Sequence, residues 1–253
     1  MVTSPEIAKL SLLFVAGVIS GFINVMAGGG SSLTLPVLIF LGLDSALANG
    51  TNRIAVLLQN VSAIIAFRQE RLHQFSLSLK LSLFTLPGAI IGVIIAVNIN
   101  DLLFQRILGF VIIGIMITIL FPRLTKKNTA NNAAASNPWL VYLAMFGIGI
   151  YGGFLQVGVG FLLMAVLFHL LGFDLLHVNM HKVFIVFIFT LPTIIIFILT
   201  NNINWSYGLI LSLGNATGAW WSAKISVKKG EKIIRIVLLI AMLIMALKLL
   251  KVL

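Results

Sequence analysis

The amino-acid sequence predicts an all-α polytopic membrane protein made of two inverted repeats, each a Gly-broken short helix pair followed by three transmembrane helices. Three observations predict this. The 253 residues are 60% hydrophobic and only 9% charged, against roughly 25% charged in a soluble domain, and mean hydropathy is +1.14. The apolar segments are long and continuous, which favours helices over an alternating β-barrel. Two glycine-rich interruptions, Gly28-Gly29-Gly30 and the stretch Gly152–Gly160, fall at corresponding places in two halves of the chain. Glycine gives up the most backbone entropy in a helix, so three in a row mark a break.

The first apolar run covers about 7–27 and is expected to be a structural helix rather than a cleaved signal. A second run, about 31–43, is too short to span a bilayer at 1.5 Å per residue. The pair is either a re-entrant hairpin or two closely packed crossings. A helix over about 45–67 follows, with Asp44 and Ser45 as candidate N-caps. The polar loop 68–74 leads to a helix over 75–97, in which Pro87-Gly88 predicts a kink or a tightly packed crossing. A short turn at 98–101 precedes a helix over 102–121.

These elements make a first repeat, residues 1–121, joined by a flexible cytoplasmic linker, 122–138, to a second repeat, 139–253. The second repeat restates the plan. An apolar run over 139–157 ends in the second break, a short run reaches Leu171, and helices follow over 175–200, 205–224 and 232–251. Sliding the chain by 130 positions places Gly28 on Gly158, Gly30 on Gly160, Asp44 on Asp174 and Asn49 on Asn179. A slide of 126 places Gly88 on Gly214 and Gly92 on Gly218. The matched glycines fall at structural joints. Each repeat has an odd number of crossings, so the second must be inverted relative to the first.

Net charge is +11. In a soluble chain this would suggest nucleic acid, but the cations here crowd into short loops. With the 68–74 loop in the cytoplasm, the linker cations Arg123, Lys126 and Lys127 and the cations from Lys224 to Lys232 lie on the same side. The turns at 98–101 and 201–204 carry no Lys or Arg and fall outside. The positive-inside rule therefore places both termini outside the plasma membrane. Lys9, Lys248 and Lys251 run against it.

A break at depth exposes backbone N–H groups and the positive end of a helix dipole, which attract anions. Candidate binding residues are accordingly Gly28, Gly29, Gly30, Ser31 and Ser32 at the first break, and Gln156, Gly158 and Gly160 at the second. A second candidate cluster is Asn49, Thr51, Asn52 and Arg53, with Gln59 and Asn60 further along, and its repeat counterpart is Asn179, His181 and Lys182. Intramembrane cations are expensive and functional by default, and these two suggest a positive cavity for an anion. The competing reading has them snorkel to headgroups or pair with Asp44 and Asp174. The two aspartates read better as N-caps than as coupling groups. The spacing of His177 and His181 allows one shared helix face, but too few further ligands lie near for a metal site. Trp139, Trp205, Trp220 and Trp221 read as interface markers.

No Walker sequence, nucleophile–base pairing or dinucleotide fingerprint is present, so an enzyme reading has no support and no cofactor is expected. The absence of cysteine excludes disulfides and thiolate metal sites.

The run Gly21–Gly30, followed by a short apolar segment, Gly42-Leu43-Asp44 and Ala48-Asn49-Gly50-Thr51-Asn52, resembles the TauE/SafE sulfite-exporter family. The second copy, Gly152–Phe161 and Gly172-Phe173-Asp174, is similar to that family's second repeat. It departs at Val159, where the motif often has glycine, and at Met180-His181-Lys182, which replaces a small polar stretch. The resemblance implies a secondary transporter exporting sulfite or organosulfonates such as sulfoacetate by alternating access. An importer or a channel for thiosulfate or another small anion is the alternative. It implies a small sulfur-containing anion and membrane lipid as partners and no nucleic acid, with coupling to protons or another ion, and a homodimer, left open.

Overall fold

The computed structural model describes residues 4–72, 74–120 and 138–249. The expected linker lies outside the described residues except for Pro138, which opens a helix. All regular structure among the described residues is helical. In chain order it runs α1 (Ser4–Ala27), α2 (Ser31–Phe40), α3 (Ser45–Gln69), α4 (Phe75–Asn98), α5 (Asp101–Leu120), α6 (Pro138–Phe154), α7 (Val159–His169), α8 (Leu175–Leu199) and α9 (Trp205–Leu249).

Among the described residues, the stretches Glu6–Ala27, Phe75–Asn98 and Leu175–Leu199 are long and apolar enough to cross a membrane. Side-chain distribution agrees. Large apolar groups such as Leu83, Phe110, Leu143 and Ile195 point outward. Asn49, Asn52, Arg53, Gln59 and Lys182 are buried. A water-soluble fold would reverse this arrangement.

The short helices result from the glycine breaks. Gly28 has φ 87°, which an L-residue with a Cβ adopts only under strain. After it the chain doubles back: a Cβ on Gly30 would run into the Ser20 carbonyl and Asn24. Past the first break α2 thus returns along α1, a geometry shared by a re-entrant hairpin and by two closely packed crossings.

Glycines also set which helices touch. Gly17 and Gly21 of α1 lie against the backbone of Leu211 and Asn215 in α9, while Gly214 and Gly218 of α9 lie against Phe14 and Val18. Positions rise together on both chains, so α1 and the first part of α9 run parallel. The same four-glycine contact occurs a second time. Gly149 and Gly153 of α6 rest on Thr85 and Ala89, and Gly88 and Gly92 of α4 rest on Phe146 and Ile150. Small residues let the backbones approach, which is how helices associate where lipid removes the hydrophobic drive. The crossing expected at Pro87-Gly88 is therefore the tightly packed one. Helices α3 and α8 cross in opposite directions, with Gly50 against Phe197, Arg53 near Thr193, and Phe67 in one apolar cluster with Met180.

One local expectation is corrected. Asp44 does not cap α3 with its side chain; Asp101 Oδ1, at the start of α5, accepts the Ser45 N–H at 2.7 Å instead. A contact 56 residues away leaves no local signature. The helices expected over 205–224 and 232–251 meet within α9 at a kink, where Gly230 (φ 66°, ψ −164°) leaves the helical conformation.

Candidate functional site

The two breaks meet. A Cβ on Gly160 would collide with Gly28, and one on Gly28 would collide with Gly160 and Phe161. The backbones touch because neither residue has a side chain. Beside this contact lies a narrow cleft bounded by α1, α2, α3, α7 and α8. Asn24, Ser31, Gln59, Asn60, Gln156 and Lys182 supply its polar wall. Val56, Val159, Val183 and Val186 supply the apolar one. The residues from α3 fall near that helix's middle. Free volume is about 10 Å³, room for one water molecule. No Asp or Glu lines the cleft.

Helix ends fix the two buried cations. Lys182 Nζ donates to the Val25 carbonyl and to Asn179 Oδ1, each at 2.8 Å. Asn179 Nδ2 reaches the Met26 carbonyl at 3.4 Å. Both carbonyls belong to the last turn of α1, where backbone acceptors lack helical partners and the dipole favours a cation. The third ammonium hydrogen meets only the Met164 sulfur, at 3.7 Å, a weak acceptor. The other half repeats the device. Arg53 Nη2 donates to the Gly153 carbonyl at 2.6 Å and Asn49 Nδ2 to the Phe154 carbonyl at 2.8 Å, closing the end of α6. Arg53 is fully buried over the Phe197 ring, and its Nε has no hydrogen-bond partner. Neither cation has a carboxylate partner among the described residues. Each half thus uses an Asn and a cation on its long helix to hold the broken helix of the other half.

The structure brings together four of the residues expected from sequence, Ser31, Gln156, Gly160 and Lys182, on one cleft. The others lie around it. Gly28 makes the backbone contact. Gly29 accepts from the Ser32 hydroxyl at 2.5 Å and the Ser32 N–H at 3.1 Å. Gly30 N–H is taken by Asn24 Oδ1 at 3.2 Å. Gly158 is left-handed (φ 74°) and opens α7. Thr51 accepts from the Asn204 N–H, and Asn52 accepts from the Thr34 hydroxyl. His181 Nδ1 is 2.7 Å from Ser78 Oγ, and its ring packs on Phe173.

Asn24 is the polar cleft residue that the expected set omits, and Gln59 and Asn60, expected only as an extension of the Arg53 cluster, line the cleft with it. Asn24 sits inside the Gly21–Gly30 motif; Gln59 and Asn60 sit two turns beyond Arg53 on the same helix. Their signal was polarity at the centre of a buried span. Of the expected aspartate caps, Asp174 does cap its helix, accepting from the N–H groups of Leu176 and His177 at 2.9 and 3.0 Å. Partial burial would raise its pKa, but these N–H groups and the His177 ring hold it below the usual carboxylate range.

Described residues that are helical throughout their regular structure, with apolar outer faces, buried polar groups and two broken helices meeting over a polar cleft, define a multi-pass membrane protein of transporter type. Residues 13–249 match the family described as sulfite exporter TauE/SafE, and the chain belongs to that family. It is similar to a probable membrane transporter protein of Haemophilus influenzae, with 29% identity over 233 residues, covering 89% of this chain and 88% of the relative. It is also similar to probable membrane transporter protein ORF9 of Sinorhizobium sp (28%, 95% of this chain and 92% of the relative). Probable membrane transporter protein YfcA of Escherichia coli strain K12 is 27% identical over 95% of this chain and 89% of its own. No solved structure matches the chain significantly.

Proposed function

We propose that this protein is a secondary transporter that exports small sulfur-containing oxyanions, sulfite or an organosulfonate such as sulfoacetate, across the plasma membrane by alternating access between two inverted repeats. One observation carries the reading. The cleft where the two helix breaks meet has a lysine ammonium on its wall and no carboxylate. In a bilayer such a charge needs a partner, and a small anion supplies one. The family match supports sulfur oxyanions as the class.

The substrate binds against Lys182, Ser31, Gln156 and the backbone of Gly160. Arg53, Asn49 and Asn179 act at one remove by holding the helix ends. With about 10 Å³ free, even sulfite requires the walls to part, which suits a carrier better than an open channel. Support for the inverted repeat comes from the doubled glycine contact and from helix direction. Corresponding helices α3 and α8 run antiparallel, as a two-fold axis in the membrane plane requires. A negative-inside potential favours anion exit by roughly 2.3 kcal/mol per charge per 100 mV, so export needs no obligatory coupling ion.

The test is flux in proteoliposomes holding the purified protein, offered sulfite, sulfoacetate, thiosulfate and sulfate. Saturable flux of sulfite or sulfoacetate with counterflow is expected. Non-saturating conductance would make the protein a channel, thiosulfate as the preferred anion would support an importer, and no response to any anion would remove the assignment.

A further inference from the structure

The cleft holds more acceptors than an anion site needs. Gln59 Oε1 and Gln156 Oε1 are both buried and without a hydrogen-bond partner, and both residues line the cleft. Gln59 is 1% exposed and Gln156 3%, so neither carbonyl is compensated by bulk water. The backbone fixes Gln156 in place: it sits at the second break with φ 61°, unusual for a side-chain-bearing residue. Its Nε2 lies 3.4 Å from Thr190 Oγ1, which occupies the amide and leaves the carbonyl. Leaving a buried acceptor unpaired is costly, and such groups concentrate at functional sites.

The charged donor of the cleft is nearly spent. Lys182 already spends two N–H groups on the end of α1 and has one left, facing only a thioether. One positive charge and one free ammonium hydrogen suit a monoanion. Two unpaired carbonyl acceptors call for a ligand that also donates.

We propose that the cleft selects singly charged sulfur oxyanions that carry an O–H donor, with Gln59 and Gln156 as the specificity-determining residues that accept that hydrogen. Hydrogen sulfite and hydroxyalkanesulfonates belong to this class. Sulfate, the sulfite dianion and ionised sulfoacetate lack the hydrogen and bring a second charge that the cleft does not match, which narrows the proposed substrates to hydrogen sulfite and hydroxyalkanesulfonates. Methanesulfonate has the right charge and no donor. The inference rests on the oxyanion-transporter reading and sharpens which anions that reading admits.

The experiment is competitive flux in proteoliposomes of the wild-type protein at one fixed pH, comparing hydroxymethanesulfonate, methanesulfonate and sulfate. Hydroxymethanesulfonate should be carried about tenfold or more faster than methanesulfonate at limiting concentration, because a site built to bond a hydroxyl rejects the analogue that leaves its acceptor unpaired. Sulfate should be slower still. In Gln59→Leu and Gln156→Leu, the ratio of hydroxymethanesulfonate to methanesulfonate should fall toward one. Equal transport of the two sulfonates by the wild-type protein would overturn the inference and leave the transporter reading intact, since it would mean that the amides present N–H groups instead. Absence of flux for every anion would overturn both. The wild-type comparison decides the matter even where a glutamine variant does not fold.

Discussion

Lys182 does two jobs, and substitutions separate them. It closes the last turn of α1 and it charges the cleft. Lys182→Met keeps the length and loses both, and it should abolish sulfite flux in proteoliposomes while the protein still elutes as a folded species. Asn179→Ala removes the helix-end contact to Met26 and the side-chain acceptor of Lys182 but keeps the charge, and should lower thermal stability in detergent by about 1 kcal/mol, with flux reduced but present. Asn49→Ala, its counterpart at Phe154, should behave alike; a flux defect as deep as that of Lys182→Met in either would contradict the division of roles. The cations were legible in the sequence as buried charges of one sign. Their engagement with helix ends was not, because a lysine that caps α1 from 157 residues away leaves no local pattern. The same distance hid Asp101 behind the more obvious Asp44.

The broken helices are where backbone geometry carries the account. Gly28 and Gly42 both have positive φ, but a Cβ on Gly28 meets the backbone of Gly160 and one on Gly42 meets nothing. Gly42→Ala should therefore cost only the conformational strain, about 1 kcal/mol, and leave flux near wild type. Gly28→Ala should cost about 3 kcal/mol or more, because backbone cannot move aside as a side chain can, and should yield little folded protein. Chromatography and thermal melts of the pair check this, and equal behaviour would mean that the breaks do not touch. The sequence made the breaks visible as glycine runs. It could not say how the chain leaves the first break, because glycine runs permit many directions. The return of Gly30 onto Ser20 shows that it folds back on α1.

At the scale of the whole molecule, each half holds the other. The first helix of one packs on the fourth of the other, twice over, and the long helices clasp the opposite broken ends. This pattern supports two halves related by inversion, and it makes a topological prediction. The chain has no cysteine, so single cysteines at Glu70, Asn100 and Asn202 can be labelled one at a time. A membrane-impermeant thiol reagent added to intact cells should modify the second and third and spare the first; the same exposure for Glu70 and Asn202 would contradict the inverted arrangement. Repeat spacing and loop charge pointed to a doubling and an orientation from sequence, since both are local or periodic properties. Which helices pair across the halves depends on three-dimensional closure and was not readable. The measurement that bears most directly on the central claim is counterflow of radiolabelled sulfite in proteoliposomes preloaded with unlabelled sulfite. The account predicts transient accumulation of label by the wild-type protein and none by a folded Lys182→Met variant. Accumulation that survives loss of Lys182 would contradict it.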